Sequence, residues 1–334
     1  MSLLIAVPQQ QQQLPARNLS GRQSATQSPP SPAGFFLGGY IGERLAARSP
    51  TATGQWATLN LARRKRLTPP EICGAPLEGL PLKRTALFVM ISSALGYAAV
   101  CALLFVAQSS LIYHPRAATA GATTAMTLPV DGATLRISHR PKPGNRALIY
   151  LGGNAEDVSA SLAGFSRAFP DHALYLMHYR GYGGSTGQPS EAALFADALA
   201  LYDRVKATHT HITVVGRSLG SGVAVYLASQ RPVSRLTLIT PYDSIANVAA
   251  QRLRIIPVQW LMFDKYESWR YAPNVTAATR VLLAEADEVI PRVRSDALMR
   301  YFQPGVATLN VIPGTGHNSI SQHPDYLTLL RSDP

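Results

Sequence analysis

Cysteine is nearly absent from this chain. Its 334 residues include two, Cys73 and Cys101, and residues 113–334 contain none. A disulfide framework and a cysteine-based metal site are excluded from that long remainder. A cysteine-free region suits a reducing or an oxidising compartment equally well. Acidic residues are also sparse, 19 Asp and Glu against 31 Lys and Arg, for a net charge of +12. Residues 1–84 carry +7 of that excess and residues 85–334 carry +5. The charge gathers ahead of the first long apolar run, and the sequence lacks the pattern of any nucleic-acid-binding module. It therefore indicates orientation in a membrane, and no nucleic-acid partner is expected. Also missing are a Gly-x-Gly-x-x-Gly turn, a Gly-rich loop ending in Lys-Ser/Thr and any His/Asp/Glu cluster at metal-ligand spacing. Neither a nucleotide cofactor nor a resident metal is expected.

Residues 1–82 show no sustained helical or alternating apolar period. They include the run Gln9 to Gln13 and the Pro/Ser-rich stretch Ser28 to Pro32. Such a composition buries too little apolar surface to offset chain entropy, which predicts a disordered basic tail reaching to residue 84. A start codon assigned too far upstream would leave the same signature. Lys83 and Arg84 then precede an uncharged run from Thr85 to Ile112, whose apolar core Ala86–Ala107 is 22 residues long. At about 1.5 Å per residue this spans a hydrocarbon layer of about 30 Å. Arg63, Arg64, Lys65, Arg66, Lys83 and Arg84 all lie before it, and Arg116 is the first charge after it. The positive-inside rule predicts a single-pass anchor with a cytoplasmic N-terminus and residues 113–334 on the far, periplasmic or extracytoplasmic side. A cleaved signal peptide and a buried soluble helix are the rivals. The run is longer than a usual signal core, and the basic residues lie far from residue 1.

From residue 113 onward strands and helices alternate. Ala133–His139 reads as a strand of an antiparallel edge hairpin. Further strands are expected at Ala147–Leu151, Ala173–Met177, Ile212–Val215, Leu236–Ile239, Val281–Leu283 and Ala307–Ile312. Helices are expected at Val158–Phe169, Glu191–Lys206, after Gly222, at Val293–Tyr301 and at Tyr326–Leu330. Repeated β-α units predict an α/β protein with a doubly wound, mostly parallel sheet. In such sheets the ligand site lies beyond the carboxyl ends of the strands.

Those strand ends carry a constellation. Ile212-Thr213-Val214-Val215 runs straight into Gly216-Arg217-Ser218-Leu219-Gly220, a Gly-x-Ser-x-Gly turn between a strand and a helix, which would expose Ser218 as a nucleophile. A serine hydroxyl needs a base, and the base needs a group to orient it. His317 sits in the polar loop after the last strand, while His178 at another strand end is a weaker candidate. For the acid, Asp287 follows the penultimate strand, and Asp243, after the strand before that, is the runner-up. Gly152-Gly153-Asn154 follows Ala147–Leu151, where the amide of Asn154 would join that of Leu219 in holding an oxyanion. Arg180, Tyr182 and Asp197 are read as fixing a tight turn beneath the site, with Asp197 a structural partner of that loop. Val248–Tyr266 reads as a short insertion in place of a large lid. Its apolar residues would pack on the sheet or else form a wall suited to an acyl or lipid-like substrate.

Six motifs in order carry a resemblance over residues 111–334. They are Gly152-Gly153-Asn154-Ala155-Glu156, Tyr179-Arg180-Gly181-Tyr182-Gly183-Gly184-Ser185, Gly216 to Gly222, Pro241-Tyr242-Asp243-Ser244-Ile245, Asp287 to Pro291, and Gly316-His317-Asn318. Together they resemble the membrane-anchored serine hydrolases of the α/β-hydrolase superfamily, the BEM46-like group. Two positions depart from that group: Gly152 stands where a His is usual and Ala284 where a Gly is usual. The resemblance implies an α/β-hydrolase fold, Ser218 as nucleophile, Asp287 as acid, His317 as base, and Asn154 with Leu219 as oxyanion donors. The expected activity is cofactor-free hydrolysis of an ester or thioester through an acyl-enzyme. A serine peptidase, or a membrane-tethered binding or scaffold protein on the same fold, is the alternative.

Overall fold

The computed structural model describes residues 82–119 and 125–332. The predicted tail lies outside the described residues except at its end, where Leu82, Lys83 and Arg84 form the first turn of a helix instead of belonging to the tail. Lys, Arg and Leu are good helix formers, so the helix starts three residues before the apolar run does. This helix, α1 (Leu82–Ile112, 31 residues), rises about 46 Å. It is long and apolar enough to cross a membrane, and it leaves Phe88, Met90, Leu95 and Val106 exposed on several sides. Only Gln108 and Ile112 are buried along it.

The rest is an eight-stranded sheet with the order β1-β2-β4-β3-β5-β6-β7-β8. Its strands are β1 (Ala125–Val130), β2 (Ala133–Arg140), β3 (Arg146–Leu151), β4 (Ala173–Met177), β5 (His211–Arg217), β6 (Arg235–Ile239), β7 (Thr279–Ala284) and β8 (Ala307–Ile312). β2 runs antiparallel to both β1 and β4, and every other pairing is parallel. The sequence pattern located β2 as half of an edge hairpin but left its partner unplaced. Pro129 interrupts the β signal in β1, and an edge strand tolerates a residue that cannot donate to the ladder.

Alternation along the central strands divides the core in two. On β3, Ala147, Ile149 and Leu151 face one layer while Leu148 and Tyr150 face the other. The first layer packs under α3 (Glu191–Lys206) and α4 (Leu219–Gln230), the second under α2 (Leu162–Ala168) and α9 (Tyr326–Arg331). Because both faces are covered, the inner strands read as unbroken apolar runs. In α3 the stripe Leu194, Phe195, Ala198, Leu201, Tyr202 and Val205 is buried, and Ser190 caps its start by accepting from the Ala193 amide. The helix expected at Val158–Phe169 divides into a 3-10 turn, Val158–Ser161, and α2.

The chain leaves β3 for β4 on one side and returns to β5 on the other. The loops after β3 and β5 therefore diverge around a crevice at the point where strand order reverses, which is where α/β sheets take ligands.

Candidate active site

Ser218 occupies that crevice. It lies between the last residue of β5 and the first of α4, with φ 50° and ψ −117°. A non-glycine residue with positive φ is strained, and such strain persists only where its surroundings enforce it. Here the Ser218 amide donates to the Ile239 carbonyl at 2.9 Å. The helix behind it passes so close to β3 that a Cβ on Gly220 would come within 2.1 Å of the Leu151 carbonyl oxygen. The Gly-x-Ser-x-Gly spacing thus serves packing as well as turn geometry.

His317, in the loop after β8, places Nε2 2.9 Å from Ser218 Oγ. Its Nδ1 lies 3.0 and 2.9 Å from the two carboxylate oxygens of Asp287. A carboxylate only accepts, so Nδ1 carries the proton and Nε2 is left to receive one from the serine hydroxyl. The Asp287 carboxylate is itself held by the amides of Val289 and Ile290, at 2.9 and 2.7 Å. A serine, an imidazole and a carboxylate bonded in this line can activate a hydroxyl for attack and stabilise the imidazolium that results.

The two runners-up lie elsewhere. Asp243 is buried but accepts from Asn247 Nδ2 at 2.8 Å and from Arg294 Nη1 at 3.3 Å. His178 is buried with Nε2 2.9 Å from Ser138 Oγ, and burial lowers its pKa below the ordinary histidine value. Arg180 and Asp197 form a two-pronged ion pair, both contacts 2.8 Å, as the reading of that loop expected.

Beside Ser218 runs the loop after β3. A Cβ on Gly153 would stand 3.5 Å from the Ser218 Cβ. Asn154 holds this loop through its side chain. Its Oδ1 accepts from the His114 amide at 3.0 Å, the Tyr182 hydroxyl at 2.8 Å and the Ala155 amide at 3.1 Å, and its Nδ2 donates to the Ile112 carbonyl. Among the described residues, neither the Asn154 nor the Leu219 amide donates a backbone hydrogen bond outside the regular helix and strand ladders. Leu219 opens α4, where the first amides have no partner within the helix. At Gly152, where the resembled group has His, a Cβ would meet Val158 Cγ1 at 2.4 Å, so Val158 takes the space a side chain would need.

Three residues that sequence reasoning left without a role brace the site. Arg217, buried, donates to Glu156 Oε2 at 3.0 Å and to the His317 carbonyl at 3.2 Å. Glu156 Oε2 also accepts from the Gly153 amide at 2.7 Å, so one ion pair ties the loop after β3 to the loop after β8. Burial opposes the charge on Arg217, but Glu156 together with Tyr150 and Tyr326 outweighs it, and the guanidinium titrates above its ordinary value. Glu288 Oε2 accepts from the His317 amide at 3.0 Å. The available signal was a charge, Arg217, ending an apolar strand buried on both faces, because a charge placed there requires a buried partner. Among the described residues no group of three or more His, Cys, Asp or Glu is placed to hold a metal ion.

Comparison with known proteins agrees with this architecture. Residues 147–268, from β3 past Ser218, match the model of the alpha/beta hydrolase fold family. An uncharacterised protein of Mycobacterium tuberculosis is 33% identical over 258 residues, covering 72% of this chain and 91% of that one. An alpha/beta hydrolase domain-containing protein of Caenorhabditis elegans is 32% identical over 201 residues, covering 58% and 59%. An esterase structure from Pyrococcus furiosus superposes with a TM-score of 0.53 at 13% identity, over 66% of this chain and 94% of that one, a likeness of fold alone. By its sheet, its strand-end loops and these relatives, the chain belongs to the α/β-hydrolase superfamily.

Proposed function

We propose that this α/β-hydrolase is a serine hydrolase that cleaves a carboxylic ester or thioester through an acyl-enzyme. The observation that carries this reading is the hydrogen-bonded line from Ser218 Oγ through His317 to Asp287. Ser218 Oγ attacks the substrate carbonyl carbon as its proton passes to His317 Nε2, while Asp287 steadies the imidazolium. The amides of Asn154 and Leu219 hold the oxyanion. Collapse expels the alcohol or thiol, which takes the proton from His317. Water, deprotonated by the same imidazole, then releases the acid and frees Ser218. Every step uses this chain's own groups, and no cofactor is called for.

The anchor completes the reading. Residues 1–84 lie in the cytoplasm, α1 crosses the bilayer, and the catalytic domain, residues 113–334, stands on the far side. What supports this is the apolar length of α1 and the clustering of basic residues before it. A site tethered at a membrane surface suits a lipid-like acyl substrate. The deciding experiment is labelling with a fluorophosphonate probe. Folded wild type is expected to label and Ser218→Ala to remain unlabelled, and absence of labelling in folded wild type would overturn the hydrolase reading. Reporter fusions before residue 85 and after residue 113 should fall on opposite sides of the membrane.

A further inference from the structure

The insertion between β6 and β7 packs Val248, Met262 and Tyr266 against the core but turns other large side chains away from it. It forms α5 (Ile245–Arg252), then α6 (Val258–Leu261), and it leaves Ile255 79%, Trp260 89% and Phe263 68% exposed. From Ile255 to Phe263 eight of nine residues are apolar. The exception, Gln259, donates its side-chain amide to Asn247 at 2.7 Å. Arg252 and Arg254 stand on one flank, Asp264 and Lys265 on the other. Where the segment returns to the domain, Asp264 accepts from the Tyr113 hydroxyl at 2.8 Å.

This strap lies along α1. The Tyr97 hydroxyl donates to the Ile255 carbonyl at 2.6 Å. Gln108 donates to the Leu261 carbonyl at 3.2 Å and accepts from the Phe263 amide at 2.9 Å. The rings of Phe105 and Phe263 meet edge to face at 5.0 Å. A small apolar groove runs between the two, walled by Leu104 and Leu111 on one side and Leu253, Ile256 and Leu261 on the other. Tyr97 lies about 20 Å along the helix axis from Arg84, within a hydrocarbon layer of about 30 Å, and tilt of the helix only places it deeper. If α1 spans the bilayer from Lys83 and Arg84, the strap reaches below the far surface beside it.

Most amides of the strap, though not those of Arg254, Ile255 and Gln259, are paired within the protein, as favours a place where unpaired groups find no water. The amides of Ile256, Val258, Trp260, Leu261 and Met262 all donate within the segment, that of Phe263 to α1, and Pro257 has no N–H. We propose that Leu253–Phe263 is a second membrane-immersed element, inserted into the outer leaflet beside α1, with the bilayer hydrocarbon as its partner. The exposed Trp260 faces the acyl chains just beneath the headgroups, and the Arg252 and Arg254 guanidinium groups reach the headgroups. The mouth of the crevice is thereby held against the lipid, because Arg252 also donates to the carbonyls of Glu288 and Val289 in the loop that carries Asp287.

The proposal rests on the anchor reading, and its test separates the two. The full chain, with Cys73→Ser and Cys101→Ser, is reconstituted in phosphatidylcholine vesicles. It carries a polarity-sensitive fluorophore at one cysteine, introduced by Trp260→Cys on the strap, Val89→Cys on α1, or Lys206→Cys at the far edge of the domain. Labels at 260 and 89 are expected to emit to the blue and to be quenched by nitroxide-bearing lipid but not by aqueous iodide, and the label at 206 to behave oppositely. Iodide quenching at 260 with lipid quenching at 89 would overturn the immersed strap alone. Iodide quenching at both would overturn the anchor reading and the strap with it. Blue emission at 260 without lipid quenching would place protein there, a second copy for example, and overturn the proposal.

Discussion

Asp287 and Asp243 follow adjacent parallel strands, both at the carboxyl edge of the sheet and both largely buried, yet they serve different ends. Asp287 receives two backbone amides from its own loop and directs its carboxylate at the imidazole of His317. Asp243 directs its own at Asn247 and Arg294, fastening α5 and α8 (Arg292–Met299) to the end of β6. The histidines divide in the same way. His317 stands between a hydroxyl and a carboxylate, whereas His172, at the opposite edge of the sheet, is half-buried near Arg146 and Arg235. Residue type is shared within each pair, and strand-end position within the first. What distinguishes the members is the partner that the neighbouring loops supply.

The largest expected effect is on turnover. Asp287→Asn should leave the fold intact and lower the rate of ester hydrolysis about 10⁴-fold, because it favours the wrong histidine tautomer. Steady-state assay of a model ester, beside a thermal melt, checks both halves of that statement. Asp197→Ala should act purely on stability, at a cost of about 1–3 kcal/mol by denaturant unfolding, since the partly exposed Arg180 would lose both of its charged hydrogen bonds. Asp243→Asn is the direct probe of the contrast, with a stability loss of about 1–3 kcal/mol and near-normal fluorophosphonate labelling. A collapse of labelling in a folded Asp243→Asn protein would erase the distinction drawn here.

Ser218→Gly should go the other way, abolishing activity while raising the unfolding free energy by about 1 kcal/mol, because glycine adopts the backbone angles of residue 218 without strain. The smallest effect is expected at His172. Burial, reinforced by Arg146 and Arg235, lowers its pKa from 6.5 to about 4. As pH falls, the unfolded chain takes up that proton before the folded one does. The stability contributed by neutral His172 is therefore lost between about 6.5 and about 4. The melting temperature of His172→Gln should fall less over that interval than that of wild type.

Much of the molecule can be read from pattern. The unbroken apolar runs at 147–151, 173–177 and 307–312 mark strands covered on both faces, and the period from Leu194 to Val205 marks a helix with one buried stripe. Ser218, Asp287 and His317 could be singled out because each is a required residue type immediately after a strand. The strap was harder to read. Its composition reads first as a cap packed on the sheet and second as an apolar wall for substrate, and its contacts with Tyr97, Phe105 and Gln108 link residues about 150 positions apart in the chain.

Sequence by itself determined most of the strands and helices, though not β1, along with the apolar helix ahead of them and the chemical types waiting at the strand ends, because local periodicity and turn chemistry act over a few residues. Only the tertiary structure decided that His317 turns to Asp287 and not to Asp243, that Arg217 and Glu156 lock two distant loops, and that the strap lies along α1. Those outcomes depend on which side chains meet across the fold and whether a buried charge finds its counterion there, and no short-range pattern encodes such a meeting.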